Sequence, residues 1–378
     1  MRRIYLDHNA TTPLDPEVLA VMTGVLGEEY GNPSSVHWFG QRARAVVEQA
    51  RDSVARLIAA RPSDVVFTAS GTEADNMALR GVCAAVVDRT QRILYAAIEH
   101  HAVIHCVRGL AEDGWNVAPV RVDAEGRVDL DHLAARLEEP TALVAVMWAN
   151  NETGVIQPIA DVVRLAHGRG ARVLCDAVQA AGRIEIDVGS LGVDLLALSA
   201  HKLYGPKGVG ALWVRRGTRI KPFVRGGSQE RHRRAGTENV AGIAGFGRAA
   251  VLARERLTED AARLSLLRDA LDRALMTIPG AQRNGDGPRI ANTTNVSFEG
   301  TEAESLVLAL DLAGVAIASG AACSSGALEP SHVLRAMALP PARVRSALRF
   351  SLGRGNTAAD VTEAALAVAE TVANQRKR

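Results

Sequence analysis

The chain alternates amphipathic helical stretches with short apolar runs between about residues 40 and 254. Residues 41–60 place apolar side chains at helical spacing opposite a face of arginines and acids, which predicts a surface helix. Several apolar runs have no polar position, as expected of strands that are buried on both faces. The pattern therefore predicts an α/β fold in which helices cover a sheet. The predicted strands are 65–68, 92–96, 143–148, 173–175, 195–198 and 210–214.

Polar clusters follow five of these predicted strands. Ligands of open α/β sheets bind outside the carboxyl ends of the strands, so the five clusters can converge on one ligand. The clusters are Ser70-Gly71-Thr72-Glu73, Glu99-His100-His101, Asn150-Asn151-Glu152-Thr153, Asp176-Ala177-Val178-Gln179 and Ser199-Ala200-His201-Lys202.

The pattern changes after a long helical stretch near residues 250–280. Beyond it, residues 295–298 are strand-like, and 302–313 and 358–373 are helical in pattern, which predicts a smaller α+β domain. We expect a large domain at 14–254 and a small domain made of 255–378 together with 1–13.

Length and composition narrow the class of protein. The 378 residues predict two domains at roughly 150 residues each, and 47% hydrophobic with 23% charged residues describes a folded globular chain. A net charge of +2 gives no strong field for a nucleic acid. No apolar run reaches the roughly 18 residues of a membrane span, and no apolar signal core follows the N-terminus. We expect a cytoplasmic protein that binds neither nucleic acid nor membrane.

Only four of the 44 basic residues are lysines, so chemistry that needs a primary amine has few candidates. Lys202 follows an apolar strand and precedes a glycine-rich turn, where partial desolvation would make its amine a nucleophile toward carbonyls. The alternative is a lysine that extends to the surface. Lys207 is the one rival, because Lys221 and Lys377 lie among charged residues or at the terminus.

Gly71 and Thr72 lie between a strand and a helical pattern, where their amides would face an anion such as a phosphate. A plain helix cap is the alternative interpretation.

Asp176 ends an apolar strand, and a buried carboxylate there needs a partner such as a pyridinium nitrogen. Gln179 could then contact a ring oxygen; the alternative role for Asp176 is an N-cap.

His100 follows a strand end, where an imidazole could stack on an aromatic ligand or carry a proton. The ten histidines and four cysteines contain no HExxH pattern and no CxxC pair, so we expect no metal.

Cys323 differs from the other three cysteines because it stands in a run of small residues, SGAACSSG, bounded by glycines. Such a run predicts an exposed loop whose thiol could attack a ligand bound elsewhere, although a tolerated loop cysteine is also possible. Cys83, Cys106 and Cys175 adjoin apolar residues and are predicted to be small core side chains.

Arg349 lies in a strand-like stretch and could bind a carboxylate through two parallel hydrogen bonds, or form a surface salt bridge.

The order of these clusters along the chain resembles a known family. The segments YLDHNATTPLDP, GNPSSVH, EHHAV, NNETG, DAVQ, SAHKLYGPKG, RRAGTENV, SGAACSSG, EPSHVLRA and LRFSLGR are similar to those of the class V aminotransferase-like enzymes that depend on pyridoxal 5′-phosphate. More narrowly, they resemble the NifS/IscS-type cysteine desulfurases. The similarity runs from residue 4 to about 356.

The resemblance implies a role for each matching residue. Lys202 would form the Schiff base, His100 would stack on the cofactor ring, Asp176 would pair with the pyridinium and Gln179 would donate to the phenolic oxygen. Asn151 and Arg349 would bind the substrate carboxylate, and Cys323 would accept the sulfur. The phosphate would be held by Gly71, Thr72, Ser199 and His201, and by Thr237 of a neighbouring subunit in a homodimer.

The implied fold is that of the pyridoxal-phosphate-dependent transferases of fold type I, with a mixed, mostly parallel sheet in the large domain. The implied function is conversion of L-cysteine to L-alanine, with sulfur passed as a persulfide to an acceptor such as an iron–sulfur scaffold protein, or into tRNA thiolation. A selenocysteine lyase or a class V aminotransferase is the alternative in the same cofactor class. An inactive sulfur-transfer scaffold is the alternative outside it.

Overall fold

The computed structural model describes residues 2–88, 90–319 and 330–377. In this part of the chain the strands are, in chain order, β1 (Ile4–Tyr5), β2 (Val65–Thr68), β3 (Arg92–Ala96), β4 (Val117–Val120), β5 (Thr141–Met147), β6 (Arg172–Asp176), β7 (Leu195–Ser199), β8 (Gly210–Val214), β9 (Ala281–Arg283), β10 (Thr293–Phe298), β11 (Val315–Ala316) and β12 (Ala347–Ser351).

The helices surround these strands and include two single-turn 3₁₀ segments, Pro62–Asp64 and Ala200–Lys202. In the same part of the chain the helices assigned as α are α1 (Pro16–Glu28), α2 (Trp38–Leu57), α3 (Gly71–Ala85), α4 (His101–Glu112), α5 (Leu130–Arg136), α6 (Ile159–His167), α7 (Val188–Leu191), α8 (Gln229–His232), α9 (Val240–Glu255), α10 (Leu257–Leu275), α11 (Ala303–Leu312), α12 (His332–Ala336), α13 (Pro341–Arg345) and α14 (Ala358–Arg376).

Seven strands form the large sheet in the order β2-β8-β7-β6-β5-β3-β4. Strand β8 runs antiparallel to both of its neighbours, and the other pairs are parallel. Alternate side chains of the strands enter two separate apolar clusters, one packed on α3 and α4 and the other on α2, α6 and α9. Burial on both faces explains why most positions of these strands are apolar in the sequence. The predicted α/β class with a mixed, mostly parallel sheet is confirmed.

The parallel strands β2, β3, β5, β6 and β7 end at the same edge of the sheet. Each of the five polar clusters found in the sequence follows one of these ends. The sheet therefore brings the clusters to one edge, as parallel strands of an open sheet do.

A second apolar core lies outside the large sheet. It combines Ile4 and Leu6 with side chains of α10, α11 and α14 and of the antiparallel sheet β12-β10-β9. Val333 and Leu334 of α12 pack instead on the core of the large sheet. The exact limits of the two domains stay a prediction.

Most predicted elements agree with the structure, and one differs. Strands β2, β3 and β8 have the predicted limits, and the helical patterns at 302–313 and 358–373 correspond to α11 and α14. The long helical pattern near 250–280 is instead two helices, α9 and α10, which are separated at Arg256. Among the described residues, no helix is both long and apolar enough to cross a membrane.

Candidate active site

The first turn of α3 forms an anion cradle at the end of β2. Ser70 is the N-cap, and its hydroxyl accepts a 3.0 Å hydrogen bond from the amide of Glu73. The cap leaves the amides of Gly71 and Thr72 without a hydrogen bond to the described residues. A Cβ at Gly71 would lie 3.3 Å from the Cβ of Ser199, so the end of β7 closes this cradle from the side. The helix cap and the proposed phosphate cradle are thus the same structure.

Gly210 lets β8 pass directly behind the cradle. A Cβ at this position would lie 2.4 Å from the carbonyl carbon of Ser70 and 2.8 Å from the amide nitrogen of Gly71. Both contacts are with backbone, which cannot move away as a flexible side chain does. The position of the cradle therefore depends on a glycine in the neighbouring strand.

Lys202 lies in the short turn after β7, and its side chain points into the same edge of the sheet. Its Nζ donates hydrogen bonds to the carbonyl oxygens of Asn9 and Ala10, the latter at 2.7 Å. Burial, followed by the positive charge of Arg183, lowers the pKa of the Lys202 amine to about 7. The rival Lys207 is exposed. Lys202 is therefore a partly desolvated amine rather than a fully exposed surface charge, and its predicted role as a nucleophile stays a prediction.

Asp176 ends β6, and its Oδ1 accepts a 2.9 Å hydrogen bond from the amide of Val178. Burial raises the pKa of the Asp176 carboxyl to about 6. Two further buried carboxyls lie close enough to interact with it, Asp75 and Glu99, whose pKa values are raised by burial and by the charge of Asp176. Within the described residues Asp176 has no cationic side chain bonded to it, so it is free to pair with a cation of a ligand.

The carbonyl oxygen of Asn9 connects several site residues. It accepts a hydrogen bond from Nε2 of Gln179 at 3.0 Å and another from Lys202. The side-chain Nδ2 of Asn9 donates to the carbonyl oxygen of Asn151 at 3.1 Å. The N-terminal segment thus links the turns after β5, β6 and β7.

Arg349 enters the site from β12 of the second sheet. Its Nη1 donates to the carbonyl oxygen of Asn151 at 3.1 Å, and its Nη2 donates to Asp7 at 2.7 Å. Its Nε is buried and has no partner among the described residues. A guanidinium held in this way retains a donor for a carboxylate ligand.

Two histidines complete the edge. His100 is the N-cap of α4, where its Nδ1 accepts a 3.1 Å hydrogen bond from the amide of Ala102. Burial, followed by the charge of Lys202, lowers the pKa of the His100 imidazole to about 4. The ring of His201 lies 3.1 Å from the hydroxyl of Thr11, measured from Nδ1 to Oγ1, and burial lowers its pKa to about 4 as well. Both imidazoles are therefore neutral at neutral pH.

The structure brings most of the predicted site residues to one edge of the sheet, but it does not test their roles. Thr237 is exposed in the segment before α9, and its predicted contact with a neighbouring subunit stays a prediction. Cys323 lies outside the described residues. Cys83, Cys106 and Cys175 are buried in the apolar cores, as predicted.

The sequence assigned no role to four residues that shape the site: Asn9, Asp75, Glu99 and Arg183. Asn9 stands in the segment YLDHNATTPLDP, so its motif was visible although its role was not. Glu99 and Asp75 adjoin the predicted His100 and Thr72 clusters, but their burial depends on the tertiary structure. No pattern in the sequence marks Arg183 among forty arginines.

These residues fit pyridoxal 5′-phosphate. Two unpaired amides at a helix N-terminus suit a phosphate, and a lysine with a lowered pKa suits an aldehyde. A buried carboxyl without a cationic partner suits a pyridine nitrogen. The donor set therefore matches the three polar groups of this cofactor.

Comparison with known proteins agrees with this chemistry. Residues 4–363 match the family model described as aminotransferase class-V. A protein of Dictyoglomus turgidum named cysteine desulfurase IscS is 45% identical over 95% of this chain and 92% of its own length. A cysteine desulfurase of Bradyrhizobium diazoefficiens is 44% identical over 99% of this chain and 95% of its own length.

Solved structures give the same result for the fold. A NifS-like protein has a TM-score of 0.92 at 37% identity and covers 98% of this chain and 100% of its own. The NifS-like protein of Rickettsia africae has a TM-score of 0.90 at 33% identity, covering 98% of this chain and 99% of its own.

The chain belongs to the class-V aminotransferase family, whose enzymes depend on pyridoxal 5′-phosphate. Within that family it belongs with the cysteine desulfurases. The predicted fold type, family and cofactor are confirmed.

Proposed function

We propose that this chain converts L-cysteine to L-alanine and collects the sulfur on the thiol of Cys323. The observation that carries the proposal is the Lys202 amine, whose pKa of about 7 leaves about half of it unprotonated at pH 7. It lies close enough to Arg349 and Asp176 for their charges to act on it, so one amine faces both a carboxylate-binding and a pyridine-binding group. The names of the relatives support the same reaction.

The cofactor-binding residues follow from the groups that they offer. When bound, pyridoxal 5′-phosphate supplies an aldehyde for an amine and a ring that accepts electrons. Gly71, Thr72, Ser199 and His201 would hold the phosphate. Asp176 would hold the protonated ring nitrogen, Gln179 would donate to the phenolic oxygen and His100 would cover the face of the ring.

The proposed substrate-binding residues are Arg349 and Asn151. Arg349 and Asn151 would bind the carboxylate of L-cysteine, because the guanidinium retains an unpartnered Nε and is held in place by Asp7. The freed Lys202 amine would then take the α-proton, since a base with a pKa of about 7 is partly unprotonated at neutral pH.

The Cys323 thiolate would attack the sulfur of the bound substrate. A sulfur–sulfur bond forms, the carbon–sulfur bond of the substrate breaks, and the carbon part leaves as alanine after protonation. The product on the protein is a persulfide at Cys323, which passes its outer sulfur to an acceptor protein such as an iron–sulfur scaffold or to tRNA thiolation. We further propose a cytoplasmic homodimer in which Thr237 contacts the phosphate of the neighbouring subunit.

Replacement of Cys323 tests the proposal. Cys323→Ser is expected to keep the visible absorption of the bound cofactor and its change on addition of L-cysteine, but to lose alanine and sulfide production. Cys106→Ser, which changes a thiol in the core, is the matched control and is expected to remain active. Alanine production at the native rate by Cys323→Ser would refute the proposal and favour the lyase alternative.

A further inference from the structure

Arg183 lies in the turn after β6 and faces the site without an acidic partner. Its Nη1 donates hydrogen bonds to the carbonyl oxygen of Gln179 at 2.9 Å and to the side-chain Oε1 of Gln179 at 2.8 Å. Among the described residues no acidic side chain forms an ion pair with it, and the neighbouring phenol of Tyr204 is neutral at neutral pH. Burial accordingly lowers the pKa of the Arg183 guanidinium to about 10, so it stays charged at neutral pH.

The hydrogen bonds of Arg183 determine which way the Gln179 amide faces. A guanidinium has five N–H donors and no acceptor, so the group of Gln179 that faces it must be the oxygen. The amide nitrogen then faces the other way, and it donates to the carbonyl oxygen of Asn9 at 3.0 Å. Lys202 donates to that same oxygen. Arg183, Gln179, Asn9 and Lys202 therefore form one connected chain of hydrogen bonds with fixed donor directions.

Arg183 and Lys202 also line the same small cavity of about 30 Å³, together with Tyr204, Asn292 and Arg354. Two cations that share a poorly hydrated space repel each other, and only the lysine can lose its charge. The charge of Arg183 is the strongest single charge that lowers the pKa of Lys202, and it lowers the pKa of His8 as well. The charge of Arg183 therefore lowers the pKa of both Lys202 and His8.

We propose that Arg183 is a positioning residue: its charge favours the unprotonated form of the Lys202 amine, and its hydrogen bond to the Gln179 oxygen fixes the direction in which the Gln179 amide donates. The proposal rests on the proposed function, in which Lys202 is the amine that binds the cofactor. It adds Arg183 as a residue that touches neither cofactor nor substrate. Arg183 acts on the protonation of Lys202 and on the orientation of Gln179, which are proposed to contact the cofactor.

The other groups around Lys202 supply less of this repulsion. Arg349 is a second cation, but Asp7 is bonded to it and offsets its charge. Asp176 acts in the opposite direction by favouring the ammonium form. His100 and His201 are neutral at neutral pH. Arg183 is therefore the one cation near Lys202 in the described part of the chain whose charge is not offset by an ion pair.

The variant Arg183→Met removes the charge and the hydrogen bonds, and Arg183→Lys retains a charge. Two midpoints are measured: the pH midpoint of the visible absorption change of the holoenzyme, and the pH midpoint of Lys202 labelling by acetic anhydride in the cofactor-free protein. Arg183→Met is expected to raise both midpoints by about one unit, a tenfold gain in proton affinity. Arg183→Lys is expected to stay near the native values.

The matched control is Arg172→Met, at the other end of β6 from Asp176, which should leave both midpoints unchanged. Cofactor dissociation tests the route through Gln179: Arg183→Met and Gln179→Ala should each accelerate it, and the double variant should be no faster than the faster single variant. Circular dichroism verifies that each variant is folded.

Unchanged midpoints in folded Arg183→Met, or an equal rise in Arg183→Lys, would overturn the inference. So would additive dissociation effects in the double variant. The variant Lys202→Ala distinguishes failure of this inference from failure of the proposed function. If Lys202→Ala keeps the pH-dependent visible absorption band, Lys202 is not the lysine that binds the cofactor, and the proposed function itself is wrong.

Discussion

The guanidinium of Arg349 donates from Nη2 to the carboxylate of Asp7 at 2.7 Å. The two residues belong to opposite ends of the chain, and the bond crosses from β12 to the segment after β1. Together with the bond from Nη1 to the carbonyl oxygen of Asn151, it fixes the plane of the guanidinium. The guanidinium proposed to bind the substrate is therefore oriented before any carboxylate arrives.

This arrangement predicts that Arg349→Lys weakens the binding of L-cysteine although it keeps the positive charge. A lysine cannot offer planar, parallel donors to a carboxylate while also bonding to Asp7. We expect kcat/KM for L-cysteine to fall about a hundredfold, which is roughly 2.8 kcal/mol, chiefly through KM. Steady-state alanine production measures both parameters, and an unchanged KM would contradict the assigned role.

The lowered pKa of Lys202 predicts how cofactor capture depends on pH. Only the unprotonated amine attacks an aldehyde, and the amine is protonated below its pKa of about 7. The rate at which the cofactor-free protein binds pyridoxal 5′-phosphate should therefore rise about tenfold per pH unit up to about pH 7 and then level off. Stopped-flow absorbance measures this rate, with N-acetyl-lysine as the control. A protein rate that keeps rising toward pH 10, as the control should, would contradict the prediction.

The close approach of β8 predicts that Gly210→Ala disturbs the phosphate cradle. Its Cβ would lie 2.4 Å from the backbone of Ser70, so Ser70 and Gly71 would have to move. We expect affinity for the cofactor to fall at least about tenfold, or roughly 1.4 kcal/mol, in a titration of the cofactor-free protein. Gly24→Ala in α1 is the control, because its Cβ would meet nothing within 4 Å. Native affinity in Gly210→Ala would show that the cradle does not depend on this packing.

A buried ion pair predicts a large effect on stability away from the catalytic groups. Arg51 of α2 donates to both carboxylate oxygens of Glu230, at 2.6 and 2.9 Å, and both side chains are at most 5% exposed. Arg51→Met would leave a buried carboxylate without its cation and should lower the free energy of unfolding by about 3–5 kcal/mol. Urea denaturation measures this change. Arg56→Met, which removes an exposed pair with Asp52 in the same helix, should cost at most about 0.5 kcal/mol. Equal losses in the two variants would contradict the account.

Burial on both faces made the strands of the large sheet predictable from sequence. The run Gly210–Val214 is apolar throughout, and its limits agree with β8. The polar residues after each strand were placed correctly at one edge because parallel strands share their carboxyl ends. The antiparallel direction of β8 was not predictable from its apolar run, since direction depends on pairing with β2 and β7.

Parts of the site that depend on distant contacts could not be predicted. Asn9 reaches Gln179 and Lys202 across more than 160 residues of chain, and no local pattern encodes that approach. The bond between Arg183 and Gln179 is local, but its effect on Lys202 depends on the shared cavity. The backbone of Glu230 has a φ of 47°, which sequence propensity disfavours and the buried bond to Arg51 offsets.

The central claim is that one amine binds the cofactor and one thiol collects the sulfur. The most direct measurement is peptide mass mapping of two samples of the holoenzyme. One sample is reduced with borohydride before L-cysteine is added. The other is treated with an alkylating agent after a single turnover with L-cysteine. The account predicts the reduced cofactor on Lys202 and the additional sulfur on Cys323. Cofactor on Lys207 or any other lysine, or sulfur on Cys83, Cys106 or Cys175, would contradict it.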